Sequence, residues 1–196
     1  MTTPRDLMIT AMDAAPGRPV EPGDLSLAPA GAELIDLLAA GVVTLDGDRI
    51  VPDGRPVVAD RVLDQAAQSL TREVPYESVG DWLWRRGRGL AAVHLAALEA
   101  DGQLTRRRRR RLPFGAGRAV SVDSPGRRLA ADGPVLAALA TAVGIRDDGT
   151  AEAPGAFDDA VETVLAAVGD ALMDLEAVRQ RRAIEQAAFD NVWRGY

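Results

Sequence analysis

Six consecutive arginines, Arg106 to Arg111, set the hardest limit on how this 196-residue chain can fold. Adjacent guanidiniums repel one another, and none can be buried without a partner. In a strand, alternate residues face opposite sides, so neither side of such a segment can be a dry core. The segment is therefore exposed or bound to an anion. Leu112, Pro113 and Phe114 follow at once, with Gly115 and Gly117 behind them. A basic stem with an apolar, glycine-containing tip suits a hairpin that dips into a membrane, its charges at headgroup depth and its tip at the acyl boundary. Near an anionic surface each Arg adds on the order of 1 kcal/mol, within a Debye length of ~8 Å. The competing reading is a solvated loop, with Leu112 and Phe114 packed into the core.

Arginine is also a general bias here. All 23 basic residues are Arg, Lys is absent and Ala occupies 35 positions. That pattern reads as codon bias from a GC-rich bacterial genome, in which an Arg often stands for an ordinary Lys. The net charge is −6, which argues against general nucleic-acid binding. The distribution is uneven: residues 85–128 carry twelve of the arginines against Glu99, Asp101 and Asp123. Zero Cys excludes disulfide scaffolds, Cys-ligated zinc, iron–sulfur clusters and thiol catalysis. The single His94 excludes any site that needs two histidines. Aromatics at 4% argue against a base-stacking RNA platform. There is no apolar run of 18 residues, and Met1 to Asp6 lacks a signal-peptide core. The expected location is the cytoplasm, with attachment to a membrane from that side.

Richness in Ala, Leu, Glu and Arg predicts a mainly α-helical protein, with one or two β-hairpins, one of them long, basic and exposed. We expect one domain over residues 1–196. Leu34, Ile35, Leu37 and Leu38 form the apolar face of a helix starting near Pro29 and stopping at Gly41, a glycine C-cap. Residues 42–51 read as a hairpin turning at Asp46-Gly-Asp48. Residues 61–74 predict an amphipathic helix, and Ser78 caps the next one, which carries Trp82, Leu83 and Trp84. Gly87 and Gly89 interrupt it before a longer helix that ends at Gly102. Helix, Gly, strand, turn, strand then recurs around 90–122, with the basic excursion in its turn. Pro134 opens a helix, residues 146–155 form a charged loop, and two final helices cover 157–168 and 172–188.

Arg85, Arg86 and Arg88 adjoin the two glycines. A glycine break ahead of a helix exposes amides to a phosphate, and Arg supplies a bidentate fork to the same anion. A charge cluster on a helix surface is the plainer alternative. A lone His94 on an apolar stretch reads as a core residue with a satisfied partner. Asp158, Asp159 and Glu162 read as a solvated face. Trp82 and Trp84 cannot face one side of a helix, so one is core and the other partly exposed. No nucleophile elbow, dinucleotide fingerprint or metal-ligand spacing is present in the sequence. We therefore expect no catalytic residue, no metal and no cofactor.

Several stretches, taken in order, resemble the Golgi phosphoprotein 3 family. Residues 27–45, containing Gly31-Ala-Glu-Leu-Ile-Asp-Leu37 and ending Gly41-Val-Val-Thr-Leu45, are similar to its "G-x-x-L-I-E-L-A-L-x-G-R-L-x-L". Asp64 to Gly80, running into Trp82, resembles "D-E-A-L … P-x-x-V-x-x-W". Leu98-Glu-Ala-Asp-Gly-Gln-Leu104 resembles the "L-V-x-x-G-V-L" ahead of the family's hairpin. Leu7-Met-Ile and the helices after Pro134 also fit. The resemblance implies a helical domain with an exposed hairpin, in a bacterial member. Eukaryotic members bind phosphatidylinositol 4-phosphate on Golgi membranes through a Trp and Arg pocket. Their hairpin contributes to membrane contact and self-association, and they hold glycosyltransferases in place, a role that cannot transfer to a cell without a Golgi.

Carried over residue by residue, the pocket is thinned. Val20 to Ala30 contains no aromatic where the family has its Trp, and Ala30 stands where the Arg before the Gly would be. Arg88 matches the first Arg of the family's "R-x-x-R", and Ala91 stands at the second. Losing two or three charge-assisted contacts at ~1.5–3 kcal/mol each weakens phosphoinositide binding. The expectation is a non-enzymatic peripheral membrane protein. It takes anionic phospholipid or phosphoinositide headgroups at Arg85, Arg86 and Arg88. Its membrane-contact hairpin is Arg106, Arg107, Arg108, Arg109, Arg110, Arg111, Leu112 and Phe114, with homo-oligomerisation through that hairpin and a client protein as further partners. Two alternatives stay open: a winged-helix-like nucleic-acid-binding regulator, and a protein–protein adaptor that uses Trp82 or Trp84 as its anchor.

Overall fold

A computed structural model of the chain describes residues 2–13, 21, 23–53, 58–103, 133–145 and 157–194. Seven helices and one hairpin lie among them: α1 (Thr3–Asp13), α2 (Asp24–Ala39), β1 (Val43–Asp46), β2 (Arg49–Pro52), α3 (Arg61–Gln68), α4 (Val79–Arg86), α5 (Leu90–Ala100), α6 (Pro134–Ala142) and α7 (Asp159–Arg194). The described part is mainly helical, as the sequence predicts. The long basic hairpin, with Arg106 to Arg111, Leu112 and Phe114, lies outside the described residues.

α2 is the axis of the fold. Every residue from Leu27 to Ile35 is buried, as is Leu37, and a helix buried on all sides must be enclosed by others. α1, α3, α4, α5, α6 and α7 all pack against it. The helix begins at Asp24, earlier than the sequence suggests, and runs through Pro29. A proline there removes one backbone hydrogen bond, and the buried Leu27, Ala28, Pro29 and Ala30 offset the loss. Gly31 sets the approach of α7, because a Cβ at this position would lie 2.4 Å from the Val168 side chain.

The helix ends follow local chemistry. Gly41 adopts φ +65°, and its neighbours close a Schellman motif: Val42 N–H donates to Leu37 O at 2.9 Å, and Gly41 N–H to Leu38 O at 3.0 Å. Asp60 accepts from the amides of Val62 and Leu63 and caps α3. Ser78 Oγ accepts from Asp81 N–H and caps α4. α3 ends at Gln68, six residues short of the predicted boundary, with Ser69 as its C-cap. β1 and β2 pair antiparallel, Asp46 opposite Arg49, across the two-residue turn Gly47–Asp48. Gly47 takes φ +59° at the first central position, where such a turn needs glycine. The segment before α4 extends this hairpin. Ile50 N–H donates to Glu77 O at 2.9 Å, and Val79 N–H to Asp48 O at 2.8 Å.

The two predicted C-terminal helices are one. α7 is continuous through Gly169. Its first half buries Val164, Val168 and Ala171 against the body, enough to hold a turn whose glycine costs about 1 kcal/mol relative to Ala.

Candidate functional site

The three arginines singled out in the sequence sit where α4 gives way to α5. Gly87 ends α4 because nothing larger fits: a Cβ would lie 2.6 Å from Leu83 O and 3.2 Å from Ser26 O of α2. Gly89, at φ +72°, then turns the chain into α5. The corner is built as the two glycines predict, and it sends the arginines to different partners.

Arg85 grips Glu77, with Nε and Nη2 each 2.6 Å from a carboxylate oxygen. Nη2 also donates to Ser69 O at 3.1 Å, and the guanidinium lies 5.2 Å from the Trp82 ring centroid. The Glu77 carboxylate holds the Arg85 pKa above its ordinary value. Trp82 is fully buried and donates its indole N–H to Ala30 O at 3.2 Å. Trp84 is 40% exposed, which divides the pair as their spacing requires.

Arg86 turns inward. Its Nε and Nη2 donate to Glu33 Oε2 at 2.7 Å and Oε1 at 3.0 Å, and Nη2 also donates to Val62 O at 3.3 Å. Glu33 has no exposed surface at all. On its other side His94 Nε2 lies 3.2 Å from Glu33 Oε1. An ionised carboxylate only accepts, so Nε2 carries the proton. His94 is thus the satisfied core residue its position suggests. Glu33 is the residue that sequence reading missed. Its signal was present: Ala30, Glu33, Leu34 and Leu37 fall at i, i+3, i+4 and i+7, which puts a carboxylate on the apolar face.

Arg88 is exposed, and among the described residues no ion pair holds it. It stands at the N-terminus of α5, where the helix dipole and first-turn amides favour an anion. Ala91, one turn on, packs beside Met8, Ile9 and Leu98. At the other end of α5, Gly102 repeats the helix stop of Gly41, with Gln103 N–H donating to Leu98 O at 3.0 Å. Arg5 clamps this end by pairing with Asp101 and donating Nε to Gln103 Oε1 at 2.9 Å. Residues 101–103, just past α5, are therefore tied to α1.

A groove of about 680 Å³ opens elsewhere, between the start of α2, the end of α6 and α7. Asp24, Asp170, Glu176 and Arg179 line it together with Val143 and Met173. Three acids against one Arg make it a poor host for an anion. No group of His, Asp or Glu among the described residues is placed to hold a metal, and no described helix is long and apolar enough to cross a membrane.

The Golgi phosphoprotein 3 (GPP34) family model matches residues 4–190 of the chain. The chain belongs to the Golgi phosphoprotein 3 family. Comparison with curated individual proteins gives no match. The family is one of non-enzymatic lipid-binding and adaptor proteins. The structure leaves Arg88 exposed.

Proposed function

We propose that this chain is a non-enzymatic peripheral membrane protein of the cytoplasmic membrane face. It binds anionic headgroups, phosphatidylinositol 4-phosphate-like ones included, and its residues 1–196 act as one Golgi phosphoprotein 3-like domain. The family match over residues 4–190 carries this reading. In it, Arg85, Arg86 and Arg88 make the basic corner, and they contribute unequally. Arg88 offers its fork to a phosphate beside the α5 amides. Arg85 lends charge from a half-exposed position while held by Glu77. Arg86 is neutralised by Glu33 and holds the corner in shape. A single free fork makes a weak pocket, so membrane residence rests on the basic stem Arg106–Arg111 and the Leu112 and Phe114 tip. That hairpin is also the proposed surface for self-association. A client protein held at the membrane fits the adaptor side of the family, and no cofactor is needed.

Vesicle co-sedimentation at ~0.1 M salt tests the reading, since a Debye length near 10 Å leaves surface attraction in force. We expect binding to anionic vesicles, none to neutral ones, and little further gain with phosphatidylinositol 4-phosphate. Arg88→Ala should weaken binding a few-fold, and Arg106–Arg111→Ser should abolish it. Unchanged binding after the six-residue change removes the hairpin from the account. Absence of binding to all vesicles removes the membrane role.

A further inference from the structure

Two exposed apolar residues flank Arg88 at the α4–α5 corner. Trp84 and Val93 are each 40% exposed. Gly87 keeps right-handed helical angles, φ −63° and ψ −16°, so position 88 still follows the winding of α4. Arg88 therefore stands one turn beyond Trp84, on the same face, at i+4. Gly89 is the N-cap of α5. That makes Arg88 the residue before the cap and Val93 the fourth residue of the helix, two positions that adjoin at a helix start. The chain thus sets an apolar, a cationic and an apolar position side by side in solvent. Trp82 is not among them, since it is fully buried on the other side of α4.

We propose that Trp84 and Val93 enter the headgroup–acyl boundary of an anionic bilayer, so that the α4–α5 corner is a second membrane contact besides the hairpin. This rests on the membrane reading above and adds to it the depth at which the corner sits. An apolar pair split by one cation matches a surface that is apolar within and anionic at its edge. Each residue suits that place. Indole has an apolar body and a polar N–H, and settles where one end is dry and the other wet. Among the described residues nothing accepts from the Trp84 indole N–H. Arg88 can lay its methylenes along the apolar pair and keep its guanidinium at phosphate depth. The nearby acids are held elsewhere. Asp81, a turn before Trp84, is bonded by Ser78 Oγ at 2.7 Å at the far end of α4, and Glu77 is taken by Arg85. One weak attachment gives only marginal membrane residence, whereas two give a stable one. The corner supplies the second.

Tryptophan emission of the full chain on vesicles of phosphatidylcholine and phosphatidylglycerol tests it. Trp193→Phe leaves Trp82 and Trp84 as the emitters. On these vesicles its emission should shift to the blue and be quenched by lipids spin-labelled near the headgroup end of the acyl chain. Adding Trp84→Phe should remove both signals, because Trp82 is enclosed by protein. In co-sedimentation, Trp84→Ala should weaken binding about 10-fold and Val93→Ser a few-fold. Trp84→Phe, which keeps a ring at the boundary, should retain most of the binding. Met173→Ala, at a 65% exposed position on α7, should leave it unchanged. Full binding by Trp84→Ala, or an unquenched Trp84 on vesicles that hold the protein, overturns the proposal and leaves the hairpin to carry the membrane reading. Equal weakening by Met173→Ala overturns it too, since the loss would not belong to the corner. A chain that binds no vesicle at all takes the membrane reading down, and this proposal with it.

Discussion

Glu33 shows how much one residue constrains this core. A carboxylate with no exposed surface is tolerable only if its partners fill its lone pairs, and Arg86 and His94 do so from α4 and α5. Three helices are therefore registered by one ion cluster. Arg86→Met strands the Glu33 charge and should cost about 3–5 kcal/mol, a fall in Tm of roughly 10 °C. Glu33→Leu together with Arg86→Met should recover more than half of that loss, because the uncompensated charge goes with its partner. Arg88→Met, at an exposed position on the same corner, is the control for losing an arginine. Equal melting temperatures for Arg86→Met and Arg88→Met would show that Glu33 does not depend on its partner. Sequence spacing placed Arg86 beside Arg85 and Arg88 as one basic patch. What spacing along one helix cannot reveal is a carboxylate 53 positions away on another, and that carboxylate decides the role of Arg86.

At the scale of elements, what was legible was mostly punctuation. Gly41, Gly102, Ser78 and Pro134 terminate or open helices through contacts within a few residues, so the sequence carries them whole. The boundaries it misplaced answer to distant packing. Pro29 lies inside α2 because the buried shell around it outweighs one missing hydrogen bond, and Gly169 lies inside α7 because Val164, Val168 and Ala171 seat that helix on the body. The corner glycine of α4 makes the sharpest prediction at this scale. Gly87→Ala puts a methyl against the carbonyls of Leu83 and Ser26, and backbone cannot rotate away as a side chain can. α4 must shift off α2, at about 1–3 kcal/mol. Tm should fall by roughly 2–10 °C, and the Trp82 environment should change with it, read as a shift in tryptophan emission. An unshifted melt and spectrum would mean the corner has room that the contacts deny.

Across the whole molecule, negative charge is in excess: the net charge is −6 and the sequence pI about 4.9. Three carboxyls carry that excess into the fold. Burial raises the pKa of Asp6, Asp24 and Asp36 above the ordinary 3.8. Asp36 is compensated in part, since Thr3 donates both its backbone N–H, at 2.8 Å, and its hydroxyl, at 2.6 Å. Asp24 has Arg179. Asp6 is the exposed cost: its Oδ1 is buried with no hydrogen-bond partner among the described residues, and the Asp36 charge adds to its burial penalty. A carboxyl raised in the folded state holds its proton better folded than unfolded. Its contribution to stability is complete below pH 3.8 and is lost as pH rises through the raised folded value. At neutral pH the cost of ionising Asp6 is therefore borne in full. Asp6→Asn removes the charge and keeps the shape, so Tm at pH 7 should rise by roughly 2–4 °C. The gain should shrink as pH falls and vanish below pH 3.8, where Asp6 is neutral in both states. Asp36→Asn should not stabilise in this way, because it gives up an acceptor that Thr3 uses. Melting curves of both variants between pH 3.5 and 8 separate the cases. A gain for Asp6→Asn of the same size at both ends would place its origin in packing and not in ionisation.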